Sequence, residues 1–187
     1  MYDGEILDVI NIKELRYDMK NNLIPNIHVK SPYDLDIEVL KNKSIEGIII
    51  DIDNTLVPWS EKYADQRVMD LVVGLQKEGF KLCILSNGTK NRVAVFNRDL
   101  KLPAVHNAAK PSRTAFNKAL KHLGTQPEKT AVIGDQIFTD ILGGNRVGLF
   151  TILVVPMSSK EFIWTRFVRQ VEKLILRKYR HLINKLD

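Results

Sequence analysis

At 187 residues, with 44% hydrophobic and 27% charged residues, the chain is long enough to bury a core and has the composition of a soluble globular protein. A single cysteine, Cys83, excludes a disulfide within the chain, no apolar run approaches the roughly 20 residues of a membrane-spanning helix, and the N-terminus lacks a signal-peptide pattern. The net charge of +6 is local, because residues 160–187 hold eight basic and three acidic residues; the expectation is a cytoplasmic protein, soluble or peripheral to the inner face of a membrane.

Residues 1–35 read as a polar, irregular lead-in punctuated by Asn21-Asn22, Pro25 and Pro32. Apolar, β-branched runs follow at 47–52, 81–85, 130–133 and 149–155, with a shorter candidate strand near 103–106. Helical spacing separates them. Val68, Met69, Leu71, Val72 and Leu75 recur on one face and end near Gly79; a helix is predicted from about Asn91; Ala115, Phe116, Ala119, Leu120 and Leu123 stop at Gly124. Alternating strands and helices predict an α/β fold, with right-handed β-α-β units and a parallel sheet covered on both faces. The whole of 1–187 is expected to form a single domain.

In such sheets ligands sit beyond the carboxyl ends of the strands, so the residues just after each run matter most. The first run, in "IIIDIDNTLVPW", delivers Asp51 and Asp53; the second delivers Ser86 and Asn87; Lys110 follows the short central segment; Gly134-Asp135 follows the fourth, with Asp140 shortly after. Several carboxylates, a hydroxyl and a lysine on one rim suit a phosphate with a hard cation, because Mg²⁺ takes oxygen ligands and a lysine can hold phosphoryl oxygens. Residues i and i+2 of a strand face the same way, so Asp51 and Asp53 can enter one site, one attacking phosphorus and the other handling protons.

The ordered set "DIDNT", "LSNGT", Lys110 in "AAKPSRTAF" and "VIGDQIFTD" resembles the four motifs of the haloacid dehalogenase (HAD) superfamily of aspartate-nucleophile phosphatases. "LVPW", "GDQIFTD" and "GGNRVGLFTILVVP" followed by "FVRQVE" extend the likeness to the subfamily IIIA phosphatases, which include phosphatidylglycerophosphatase. The resemblance implies a three-layer Rossmann-like fold, a Mg²⁺ cofactor and a phosphomonoester hydrolase acting through an aspartyl-phosphate. It implies that Asp51 is nucleophile and metal ligand, and that Asp53 binds the metal through its main-chain carbonyl, protonates the leaving alkoxide and then activates water. Ser86, Asn87 and Lys110 would hold the phosphoryl group together with Thr55, which would also help to set the turn and the acid's orientation; Asp135 would complete the metal site; Asp140 would orient Lys110 or a metal-bound water. One departure is Ser86-Asn87-Gly88, where relatives often carry Ser-Asn-Asn, and this bears on contacts to the leaving group.

The spacing between motifs leaves no room for a large inserted lid, so the fold is expected to be capless or nearly so, and open to a substrate presented by something larger. Read as a helix, residues 162–186 place Trp164, Val168, Val171, Ile175, Tyr179, Leu182 and Leu186 on one stripe, with Arg166, Arg169, Lys173, Arg177 and Arg180 opposite. This amphipathic basic segment either closes the core with a solvated cationic face or lies on anionic lipid. Phosphatidylglycerophosphate is the substrate that the resemblance favours. The alternatives are a soluble phosphometabolite, a phosphoprotein or a nucleic-acid end, and, from another class, a non-catalytic module binding phosphate or RNA. Nucleic acid is disfavoured as a partner, because an intact Asp53 has no purpose in binding alone.

Overall fold

The computed structural model describes residues 22–158. The lead-in before residue 22 and the basic segment 160–187 lie outside the described residues. A six-stranded, all-parallel sheet runs in the order β1-β6-β5-β2-β3-β4. Its strands are β1 (Ile27–Val29), β2 (Gly47–Ile50), β3 (Lys81–Leu85), β4 (Ala104–Val105), β5 (Thr130–Gly134) and β6 (Phe150–Val154).

The central strand shows why the fold has three layers. Successive side chains of a strand point to opposite faces, and each of Ile48, Ile49 and Ile50 is wholly buried. Ile48 and Ile50 join the helices Gln66–Lys77 and Lys90–Phe96 through Val68, Val72, Leu75, Val93 and Phe96. Ile49 turns the other way, toward the helix Arg113–Leu123, where Ala115, Phe116, Ala119, Leu120 and Leu123 are buried. Each isoleucine so enclosed contributes about 1.5–3 kcal/mol.

Local chemistry sets the helix ends. Asp65 and Thr89 accept hydrogen bonds from the amides of Val68 and Arg92 and thereby cap two helix starts. Gly124, at φ 63°, closes the helix Arg113–Leu123 in the left-handed conformation that suits glycine. Gly143 and Gly144 lie inside the short helix Leu142–Asn145 rather than beyond its end. A Cβ on the first would overlap the Phe116 ring, and one on the second would stand 2.5 Å from a Val132 methyl.

One part of the lead-in is not irregular. Ile27, His28 and Val29 pair with Ile152, Leu153 and Val154, adding a parallel edge strand. Asn26 secures it, its Oδ1 accepting from the Thr151 amide at 2.8 Å, while Asn145 Nδ2 donates to the carbonyls of Asn22 and Ile24. At the other end of β6 the Met157 amide donates to the Asn54 carbonyl at 3.0 Å. Among the described residues, β2 connects to its helix through 51–65 and β3 through 86–89, with no domain inserted in either link.

Candidate active site

Chain order in the sheet places the site. From β2 the chain proceeds outward to β3 and β4, then returns to the opposite side of β2 as β5. Between β2 and β5 the connections diverge, which opens a crevice at the carboxyl ends of these two strands. Asp51 leaves β2 there, its amide donating to the Ile133 carbonyl at 3.0 Å, and Asp135 leaves β5 beside it.

The turn after Asp51 is tightly made. Asn54 sits at φ 62°, a left-handed conformation that Asn tolerates better than most residues, and its amide donates to the Val57 carbonyl at 2.7 Å. A parallel bridge between Asp53 and Val57 closes the turn, and the Tyr33 hydroxyl donates to the Leu56 carbonyl at 2.8 Å. Burial pushes the Tyr33 hydroxyl up to about 12, with Asp65 adding to the shift and Arg67 opposing it. Tyr33 therefore stays protonated as a donor.

Lys110 is the centre of the cluster. Its ammonium lies 2.6 Å from Asp51 Oδ1 and 2.6 Å from Asp140 Oδ1, with all three side chains buried. Thr55 Oγ1 stands 3.3 Å from both Asp51 Oδ2 and Asp135 Oδ1, long for a hydroxyl donor, and one proton can serve only one of them at a time. Burial raises the Asp51 carboxyl to about 6; Lys110 opposes the rise, and Asp140 and then Asp53 add to it. For Lys110 burial works to lower the pKa, but Asp140 and Asp51 outweigh it and hold the ammonium above its usual range.

Asp140 arrives by a π-helical turn, Ile137–Ile141, that follows β5. Its Oδ2 accepts from the Gln136 amide at 3.2 Å and the Thr139 hydroxyl at 3.3 Å. Gly134 makes room for it, since a Cβ there would overlap the Asp140 carboxyl. Ser86 is buried and accepts from the Gly88 amide at 3.0 Å, while exposed Asn87 accepts from the Lys110 amide at 2.7 Å. The amides of Ala108 and Asn107 donate to the carbonyls of Ser86 and Gly88, joining the loops that carry Ser86 and Lys110.

The structure thus brings Asp51, Thr55, Lys110, Asp135 and Asp140 together. Carboxylate oxygens of Asp51, Asp135 and Asp140 lie within 4.8 Å of one another. Three buried carboxylates outnumber the one ammonium among them and offer only hard oxygen donors, so the residues fit a divalent cation. The metal set implied by the resemblance is Asp51, Asp135 and the main-chain carbonyl of Asp53; Asp51 and Asp135 lie in the cluster, Asp140 adds a third carboxylate to it, and the Asp53 carboxylate turns toward Arg92. Asp53 Oδ1 accepts from Arg92 Nη2 at 2.7 Å and Nε at 3.2 Å. Arg92 escaped the sequence reading because it lies 39 positions from Asp53, on a helix whose pattern marks only its buried side.

A HAD-hydrolase-like family profile matches residues 107–156, the stretch holding Lys110, Asp135 and Asp140. The chain is 42% identical over 158 residues to "Probable phosphatase YqeG" of Bacillus subtilis (strain 168), covering 84% of this chain and 92% of the relative. It is 30% identical over 169 residues to "Phosphatidylglycerophosphate phosphatase 1, chloroplastic/mitochondrial" of Arabidopsis thaliana; the match covers 84% of this chain but only 48% of that relative, about half its length. In fold it resembles the crystal structure of an uncharacterized protein from Listeria monocytogenes serotype 4b, at a TM-score of 0.50 and 17% identity over 75% of this chain and 99% of the other. With a relative this similar along nearly its whole length, and with its carboxylates and lysine gathered at the switch point of a parallel sheet, the chain belongs to the HAD-like hydrolases.

Proposed function

We propose that the protein is a Mg²⁺-dependent phosphomonoester hydrolase working through an aspartyl-phosphate on Asp51. The observation that carries this reading is Asp51 itself: buried at the end of the central strand, it is clasped by Lys110 at 2.6 Å and shares the crevice with Asp135 and Asp140. A carboxylate held so rigidly has lost the freedom that makes nucleophilic attack improbable in solution. Asp51 attacks phosphorus and the bond to the leaving alkoxide breaks, with Asp53 supplying that alkoxide's proton. Asp53 then takes a proton from water, which attacks the same phosphorus and returns Asp51 as a carboxylate. Lys110 holds phosphoryl oxygens and balances Asp51, Ser86 adds a hydroxyl donor, Thr55 donates to Asp51 or Asp135, and Asp140 keeps Lys110 in place. Asp51, Asp135 and the Asp53 carbonyl would hold Mg²⁺, which when bound supplies charge stabilisation to the transferring phosphoryl group.

Phosphatidylglycerophosphate is the substrate we favour. The Arabidopsis relative is named for it, the site has no inserted lid among the described residues, and the sequence of 160–187 is basic enough to meet an anionic lipid surface. Among the described residues no helix is long and apolar enough to cross a membrane, whereas Trp59 and Tyr63, on the loop after the catalytic turn, are half exposed and suit a lipid interface. A soluble phosphate ester is the competing substrate class. The test is a panel of short-chain phosphatidylglycerophosphate beside soluble esters, assayed for phosphate release with Mg²⁺ and with a chelator. Hydrolysis is expected to require metal, to favour the lipid, and to fall by at least about 10³-fold in Asp51→Asn. Activity surviving Asp51→Asn would refute the mechanism, and preference for a soluble ester would refute the substrate.

A further inference from the structure

Arg92 has a part in this site that the four motifs do not assign. Its side chain is 19% exposed and reaches from the helix Lys90–Phe96 to Asp53, whose side chain is 32% exposed. Nε and Nη2 both donate to a single oxygen, Asp53 Oδ1, while Nη1 donates to the Lys62 carbonyl at 3.0 Å. The guanidinium also lies 5.5 Å from the centre of the Phe96 ring, one turn along its helix. Arg92 is therefore braced on three sides by the acid, the loop after the catalytic turn, and its own helix.

Two consequences follow. Gripped through Oδ1 alone, Asp53 keeps Oδ2 for proton transfer, and the two N–H donors restrain the carboxylate's rotation. A guanidinium has five N–H donors, and its contacts among the described residues occupy three, so one N–H on each terminal nitrogen is left for an acceptor on the substrate. The general acid marks the side from which the alcohol departs, and Arg92 stands directly on that acid. Gly88 keeps the place open: a Cβ there would stand 3.1 Å from Arg92 Cγ and 3.1 Å from Ser86 Oγ, crowding the arginine stem against the phosphate-side serine. The Ser-Asn-Gly sequence at the second motif thereby acquires a physical meaning.

We propose that Arg92 reads the leaving group: it fixes Asp53 through Oδ1 and selects phosphomonoesters whose alcohol carries a second anionic group close to the ester, a phosphodiester or a carboxylate. A guanidinium offers paired donors to such anions, and charge-assisted bonds of this kind are the strong ones. The inference rests on the phosphatase reading above. It adds a substrate class that a lipid headgroup and a small soluble ester could both satisfy.

The test compares phosphoglycolate with ethylene glycol monophosphate, which differ in a carboxylate on the leaving group, and adds short-chain phosphatidylglycerophosphate as the lipid arm. In the full-length protein with Mg²⁺, wild type should favour phosphoglycolate. Arg92→Ala should lower the ratio of kcat/KM values between the two by roughly 10-fold to 100-fold, through a raised KM for the anionic substrate, while kcat falls on both as Asp53 loses its hold. Arg92→Lys, which keeps the charge without the fork, should recover part of the ratio and little of kcat. An unchanged ratio in Arg92→Ala, with circular dichroism confirming the fold, would overturn the recognition role. A wild type that hydrolyses none of the three would instead overturn the phosphatase reading beneath it. A loss confined to the lipid arm would overturn recognition of the anion and point to the acyl chains.

Discussion

Asp51 is placed where a carboxylate is least comfortable, and the discomfort is measurable. Burial lifts its pKa from 3.8 to about 6, so without metal the folded protein binds a proton there more tightly than the unfolded chain does. The sign of the linkage follows: this group favours folding below about pH 4, and its contribution is lost as pH rises through about 6. Asp51→Asn removes the titration while keeping the shape. In metal-free buffer the variant is expected to melt above wild type at pH 7, by about 1–3 kcal/mol of stability, with the gap closing toward pH 4. Thermal melts across that pH range check this, and a variant that melts lower at pH 7 would contradict the burial argument. Lys110 does not reverse the expectation, because it retains Asp140 at 2.6 Å after Asp51 is neutralised.

At the scale of elements, β5 and the turn after it show how a glycine can decide a site. Gly134 lacks the atom that would collide with Asp140, and Asp140 in turn holds Lys110. Gly134→Ala should therefore displace Asp140, cost about 1–3 kcal/mol through overpacking, and lower activity by more than about tenfold. Gly74, inside the helix Gln66–Lys77 with open space where a Cβ would lie, is the control: Gly74→Ala should stabilise by up to about 1 kcal/mol. Melting temperature and phosphate release together separate the two; an active, fully stable Gly134→Ala would sink the packing argument.

The same elements show what the sequence could and could not tell. The isoleucines before Asp51 announced a strand buried on both faces, and the helices with one apolar stripe were equally legible, because each signal is local. β1 was not, since three residues after a proline carry no period, and their strand exists only through pairing with Ile152–Val154. The π-helical turn bearing Asp140 has no spacing signature either. Arg92 reads as one more polar residue on a short helix; its meaning depends on where the Asp53 turn comes to rest, a tertiary fact.

For the molecule as a whole the question is what it stands against. The basic stretch 160–187, outside the described residues, has an amphipathic sequence pattern, and the half-exposed Trp59 and Tyr63 give the described part its own apolar points on the loop after Asp53. The proposed lipid substrate requires peripheral contact with an anionic surface, where each basic residue would add about 1 kcal/mol at low salt. Co-sedimentation should show the protein bound to vesicles of anionic lipid, released by high salt, and indifferent to neutral vesicles. Equal binding to both vesicle types would exclude the electrostatic part, and a protein lacking 160–187 that still binds would move the contact to the aromatic loop.

The hydrogen bond from the Met157 amide to the Asn54 carbonyl joins the end of β6 to the residue next to Asp53. The polypeptide leaves the sheet at the doorstep of the chemistry. The turn that carries Asp53 and the exit of the sheet are thus tied by one bond, so a substitution that disturbs either is expected to disturb the other.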